Sequence, residues 1–299
     1  MTLEEPPRVS IIIPVFNQGR ELERCLSALE RQTYPARRLE VIVVDNGSDE
    51  PIGRVTERFS FVRAIQEPTP GSYAARNRGI EASRGEILAF TDADCVPADD
   101  WVEHGVRAVQ GLPGAGMVAG RIELTFPDPH RRTAVELFET VLAFPQEKFL
   151  TWGFGATANL VTTRATIDQV GPFDQRLKSG GDMEWGQRVR ARGLAQAYGA
   201  DVHVFHQARR TFPQLWKKSI RVAGGYQQVA DQRGEGISGL TAYAIRQLIL
   251  LHHVRAHIGD PRLVTLERRM KFAAVLWLVE LVRVVERYRV HWGGTPWRL

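Results

Sequence analysis

Three apolar runs constrain this chain more than anything else in it: VSIIIPV at Val9–Val15, VIVV at Val41–Val44 and ILAFT at Ile87–Thr91. None alternates with polar residues, as a strand with one wet face would. Continuous runs of this length read as strands buried on both faces, and such strands belong to parallel sheets covered by helices. The intervening segments supply those helices. Leu22, Cys25, Leu26 and Leu29 recur at helical spacing before Tyr34 and Pro35 close the segment, and Gly71–Ser83 reads as a second helix. A short strand is predicted at Phe61–Ile65. The chain is therefore expected to be α/β, with a mostly parallel mixed sheet flanked by helices.

The pattern continues less sharply. A helix is predicted after Trp101, a strand at Met117–Leu124, one helix over Thr133–Phe149, a strand at Leu160–Thr163 and a helix from Gly180 to Arg192. From Phe212 onward the chain reads as helical, with breaks expected at Gly224-Gly225 and Arg233–Gly239. A helix is also expected over Tyr243–Val254. The 299 residues, 43% hydrophobic and 24% charged, exclude a low-complexity or disordered polymer. Two cysteines, Cys25 and Cys95, exclude a disulfide scaffold and suit a reducing compartment. The acidic, proline-rich MTLEEPPR lacks the pattern of a signal peptide, and no apolar stretch reaches bilayer length. A cytoplasmic location is expected.

Charge is unevenly placed. Residues 201–299 hold 16 basic and 7 acidic side chains, a balance of +9, against −4 for residues 1–200. Such asymmetry suits an anionic partner or a solvated arginine-rich face.

Ligands of parallel sheets bind beyond the carboxyl ends of the strands. The unusual polar residues stand there: Asn17, Asp45 and the pair Asp92 and Asp94. Val15-Phe16-Asn17-Gln18-Gly19 is neither GxGxxG nor GxxxxGK[ST], which argues against dinucleotide and P-loop chemistry. Asp92-Ala93-Asp94 offers another way to hold phosphate. Two carboxylates two residues apart, just past a strand, can share a hard divalent cation whose open positions take phosphate oxygens.

The series VSIIIPVFN, VIVVDNGSDE, GSYAARNRGIEASRGEILAFTDADC and SGGDMEWGQRVRARG, in that order over roughly residues 9–210, resembles the family 2 glycosyltransferases. The resemblance implies a GT-A fold and inverting, metal-dependent transfer from a nucleotide sugar, with a UDP-sugar the expected donor and Mn²⁺ or Mg²⁺ the expected cation. It implies that Pro14, Val15, Phe16, Asn17 and Asp45 line the nucleotide pocket, with Arg76 and Asn77 at its border and Asp92 and Ala93 near the ribose. Asp94 becomes the metal ligand, His206 a second ligand and Asp182 the catalytic base. The family often carries Glu-Asp where this chain has Gly181-Asp182, which makes Glu184 a secondary candidate for contacting acceptor or base. Trp185 reads either as an aromatic platform for a sugar or as core. Trp152–Asn159, with Gly155 and Asn159, resembles the segment that shapes the acceptor side.

The residue types fit that chemistry on their own terms. In-line displacement at an anomeric carbon needs a carboxylate to take the acceptor proton and positive charge for the departing diphosphate. A helix N-terminus at Asp182 should favour its anion. The expected organisation is a transferase domain over 1–210, its donor half about 1–98 and its acceptor half about 99–210, followed by a basic helical region over 211–299. Phe272–Val285 (FAAVLWLVELVRVV) carries Glu280 and Arg283, so it suits a membrane surface, a core helix or a homodimer contact rather than a span. His252, His253 and His257 lack a nearby carboxylate cluster and read as a helix face. No aromatic-basic motif supports nucleic-acid binding. The acceptor is expected to be a saccharide or lipid-linked glycan in surface polysaccharide synthesis. Competing functions are a nucleotidyltransferase, which would need a glycine- and arginine-rich loop after the first strand, and a silent nucleotide-sugar or glycan binder on the same fold.

Overall fold

The computed structural model describes residues 5–114, 116–248, 254 and 257–297. His252 and His253 lie outside the described residues, as does part of the helix expected over Tyr243–Val254. In chain order the elements begin β1 (Val9–Val15), α1 (Gly19–Leu29), β2 (Leu39–Asp45), α2 (Gly53–Thr56), β3 (Val62–Gln66), α3 (Ser72–Ala82) and β4 (Ile87–Thr91). There follow β5 (Cys95–Pro97), α4 (Trp101–Gln110), β6 (Gly116–Thr125), α5 (Ala134–Leu142), α6 (Gln146–Thr151), β7 (Asn159–Thr163) and α7 (Arg164–Val170). The last are α8 (Gly181–Ala191), β8 (Ala195–Gln207), α9 (Phe212–Gln232), α10 (Ile237–Leu248) and α11 (Leu266–His291).

The eight strands form one mixed sheet in the order β3-β2-β1-β4-β7-β6-β8-β5. Strands β3, β2, β1 and β4 run parallel, and all seven residues of β1 and all five of β4 are buried, as their unbroken apolar runs require. Val15 pairs with Asp45, so β1 and β2 finish level and present their polar loops at one edge. Strand β7 runs antiparallel to β4 and to β6. The short β5 runs antiparallel to β8 and sets Cys95 opposite His206.

The chain has two compact units, residues 1–123, 144–176 and 181–206, and residues 124–143, 177–180 and 207–299. In the first, the apolar stripe of α1 (Leu22, Cys25, Leu26, Leu29) packs into a core with Ile11, Ile13, Val41, Val43 and Trp101. Each such aliphatic side chain contributes ~1.5–3 kcal/mol on burial. The second unit has its own core of Val135, Phe138, Leu215, Phe272, Leu276 and Val279, in which the Phe138 and Phe272 rings stack at 6.2 Å. A capping box between Thr133 and Glu136 starts α5.

Two predicted details are corrected. The helix over Thr133–Phe149 is two helices, because Phe144 adopts φ 51° and Pro145 follows it without an N–H to donate. Gly224-Gly225 does not break α9. The helix passes through both glycines, and a Cβ at Gly225 would run into the Ser179 backbone, so close packing explains that glycine.

Candidate active site

The polar loops after β1 and β2 are stitched together. Asn17 sits at φ 54°, a left-handed conformation that asparagine tolerates better than most residues. Its N–H donates to Ser48 Oγ at 3.0 Å, its amide donates to Asp49 Oδ2 at 2.8 Å, and its Oδ1 accepts from the Asp49 N–H at 2.8 Å. Asp45 is buried and accepts from the Ser48 N–H at 3.0 Å. Pro14 and Val15 are buried within β1, so only Phe16 and Asn17 of that group reach the mouth of the loop.

Asn46, which the sequence reading passed over, ties this corner to the segment ahead of α3. Its amide donates to the carbonyls of Glu67 at 2.9 Å and Thr69 at 2.8 Å, and its Oδ1 accepts from Gly71 N–H at 2.7 Å. Gly71 has φ 139°, outside the range open to other residues, and α3 starts immediately after it.

Strand β4 runs directly into Asp92-Ala93-Asp94, a turn closed by the Cys95 N–H on the Asp92 carbonyl at 3.0 Å. Ala93 is fully buried. Asp94 Oδ2 lies 3.2 Å from Nε2 of the buried His206. The Phe144 ring packs on the His206 imidazole at 4.9 Å. Strand β8 delivers that histidine through the pairing of Cys95 with His206, which brings together residues 112 positions apart in Asp94 and His206. Asp92 is engaged differently: the buried Arg76 of α3 donates to its Oδ1 at 2.5 Å.

Asp182, the second residue of α8, is half-buried. Its Oδ1 accepts from the Tyr73 hydroxyl at 3.2 Å and from the Met183 N–H at 3.0 Å. Burial raises its carboxyl above the ordinary aspartate value and the Asp92 charge adds to this, while Arg76, the Met183 N–H and Tyr73 pull the other way. The helix N-terminus was expected to favour the anion; burial wins instead. A carboxylate moved toward neutral pH is a better proton acceptor.

A divalent cation suits this donor set. One carboxylate oxygen and one imidazole nitrogen, facing each other at hydrogen-bond distance, match Mn²⁺ better than the oxygen-preferring Mg²⁺. Among the described residues no cluster of three or more His, Cys, Asp or Glu side chains could enclose a metal.

Five expected contacts are spent elsewhere. Asn77 clamps backbone: its amide donates to the Phe173 carbonyl at 2.8 Å and its Oδ1 accepts from the Phe173 N–H at 3.0 Å. Asn159 is fully buried, accepting from Trp101 Nε1 and donating to the carbonyls of Arg121 and Val202, so it braces the sheet instead of meeting an acceptor. A Cβ at Gly155 would stand 2.6 Å from that of Ala119, so the glycine serves packing. Glu184 pairs with Arg188 at 2.6 Å. Trp185 is fully buried and donates Nε1–H to the Gly171 carbonyl at 2.9 Å, which settles it as core. Cys25 and Cys95 are free and buried, and burial pushes both thiols up.

Comparison with known proteins identifies the family and the fold. The family model for glycosyl transferase family 2 matches residues 10–171. The glycosyltransferase AglE of Haloferax volcanii is 39% identical over 75% of this chain and 74% of its own length. The probable glycosyltransferase YdaM of Bacillus subtilis is 25% identical over 76% of this chain, which spans only 57% of that relative. Among solved structures, a mannosyltransferase from Pyrobaculum calidifontis, in complex with GDP-Man and Mn²⁺, superposes with a TM-score of 0.64. That match covers 94% of this chain and 88% of the other at 19% identity, and it establishes the GT-A fold.

Proposed function

The chain belongs to glycosyl transferase family 2, and we propose that it moves one sugar, with inversion, from a nucleoside-diphosphate sugar to a saccharide or lipid-linked acceptor. The observation that carries this reading is the chain of contacts beyond the parallel strands. Asp182 is joined through Tyr73 and Arg76 of α3 to Asp92, and Asp92 shares its turn with the Asp94–His206 pair. A proton acceptor and a cation site thus stand on one rigid scaffold.

Asp182 takes the proton from the attacking hydroxyl, leaving the oxygen free to attack the anomeric carbon from the face opposite the diphosphate. Arg76 holds Asp92 and adds positive charge beside both carboxylates. Asp45 and the loop locked by Asn17 receive the nucleoside. Asp94 and His206 would hold the cation, which when bound neutralises charge on the departing diphosphate. The placement of the Asp182 carboxylate against Tyr73 and near the Arg76 and Asp92 charges supports transfer over the silent-binder alternative.

The test is a thermal-shift panel of UDP, GDP, CDP and dTDP with and without Mn²⁺, followed by proton NMR of the released sugar from the matching donor. Metal-dependent stabilisation by one diphosphate and an inverted first-formed anomer are expected. Stabilisation without any transfer or donor hydrolysis would favour the silent binder, and a retained anomer would refute inversion.

We also infer that the second unit rests on anionic lipid. No described helix is long and apolar enough to cross a membrane. Leu266, Met270, Trp277, Leu281, Val285 and Trp292 nonetheless form an exposed stripe along and just past α11. The balance of +9 over residues 201–299 favours an anionic surface and opposes a second copy of the same charge. Binding to phosphatidylglycerol vesicles but not phosphatidylcholine vesicles, weakened by salt and by Trp277→Glu, supports this. A salt-insensitive dimer in sedimentation velocity, with no vesicle binding, overturns it.

A further inference from the structure

Tyr73 is the second residue of α3 and is almost fully buried. Its ring packs on Phe173 at 5.8 Å, and the Phe173 backbone is fixed in turn by the two hydrogen bonds of Asn77. One turn along α3, the Arg76 guanidinium lies 5.6 Å from the same ring centroid. The ring is therefore held by two neighbours, with its hydroxyl 3.2 Å from Asp182 Oδ1.

Gly181 completes the arrangement. A Cβ there would stand 2.7 to 2.9 Å from Cε2, Cδ2 and Cζ of Tyr73, closer than real side chains approach. The ring thus occupies the space that a residue-181 side chain would enter. This accounts for the departure from Glu-Asp noted in the sequence.

We propose that Tyr73 is the positioning residue for the base Asp182, and that Gly181 is glycine in order to admit its ring. The inference rests on the reading of Asp182 as the base. Oδ1 of this carboxylate accepts both from the Tyr73 hydroxyl and from the Met183 N–H, and in this proposal Oδ2 takes the acceptor proton. A neutral phenol fixes the carboxylate without adding charge. A second carboxylate at position 181 would raise its proton affinity further.

The charged and titratable groups around Asp182 are Arg76 and Tyr73 on α3 and Asp92 past β4. On its own helix, Glu184 is paired with Arg188. Of these, Tyr73 can lose its polar group while keeping its shape.

The test uses Tyr73→Phe in the full chain. The titration midpoint of the Asp182 carboxyl is followed by carbon-13 NMR of aspartate-labelled protein, with Asp182→Asn to assign the signal. Removing a hydrogen bond to the anion should raise that midpoint by about one pH unit. The acid limb of Mn²⁺-dependent hydrolysis of UDP-glucose or GDP-mannose, whichever the panel identifies, should move up by the same amount. Its kcat should fall by roughly tenfold with donor KM unchanged. An unmoved midpoint overturns the positioning role.

Gly181→Ala examines the second half. It should reduce kcat in the parent chain and cost less in a Tyr73→Ala background, where the ring is gone. Equal losses in both backgrounds overturn the steric pairing. If Asp182→Asn itself turned over normally, the base assignment would fail, whereas the NMR midpoint would still report on the Tyr73 contact.

Discussion

Asn46→Ala should damage both stability and donor binding, and the structure gives the size of the effect. The side chain is buried and makes three hydrogen bonds, donating to Glu67 and Thr69 carbonyls and accepting from Gly71 N–H. Alanine removes all three and strands the Gly71 N–H. At ~1 kcal/mol per bond, with further cost where a buried group is left unpaired, the loss is about 3 kcal/mol or more. For a domain of this size ~2 °C is lost per kcal/mol, so the melting temperature should fall by roughly 6 °C. Asn46→Asp keeps the acceptor for Gly71 but faces two carbonyls with a carboxylate, so it should not rescue. Because Gly71 leads straight into α3, affinity for the Mn²⁺–diphosphate complex should weaken with stability, measured by calorimetry beside the melts. A variant melting within 1 °C of the parent, by ~0.5 kcal/mol on the same scale, would refute the claim that this asparagine holds the entry to α3.

Other substitutions separate packing from chemistry. His206→Ala should weaken Mn²⁺ binding in the presence of diphosphate at least about tenfold, since even outer-shell partners of metal sites are worth ~10–100-fold; unchanged affinity by calorimetry would remove it from the cation site. Trp185→Ala should cost ~3–5 kcal/mol in chemical denaturation, as expected for a large buried ring, and a fully stable variant with weakened acceptor affinity would return it to a binding role. In the second unit, burial raises the Glu139 carboxyl but the Lys218 and Arg209 charges overcome this and hold it at about 2. A carboxyl lowered on folding adds stability above its unfolded value near 4.5 that is lost as pH falls toward 2. Glu139→Ala should therefore cost ~3–5 kcal/mol at neutral pH, where it leaves the half-buried Arg209 and Lys218 without their buried counter-charge, and should flatten the acid dependence of unfolding.

The sheet was readable because β1, β2 and β4 each carry a short apolar run ending in polar residues, whereas β3, with Arg63 at its centre, is only partly buried. Strand β8 was not: only Val202, Val204 and His206 are buried in its second half, and its first half carries glycine and polar residues. The alternation at 202, 204 and 206 was a period-2 signal that could have been counted. The division of labour among polar residues was illegible for a different reason. Asn77 and Asn159 resemble ligand contacts in the sequence, yet their partners are backbone groups and the Trp101 indole, up to 96 positions away. Tyr73 and Asn46 carry no motif beyond their neighbours, and their roles depend on partners that only the folded chain brings close. Gly181 was visible as a departure, but its reason was the ring of Tyr73.

The central claim is that Asp182 removes the acceptor proton on a scaffold that binds donor and cation independently of it. The direct measurement is Asp182→Asn under single turnover with saturating Mn²⁺ and nucleotide sugar, beside calorimetry of the same complex. The account predicts donor affinity within a few-fold of the parent and turnover reduced by ~10²–10⁴-fold. Near-normal turnover with intact binding would contradict it and move the base to another residue.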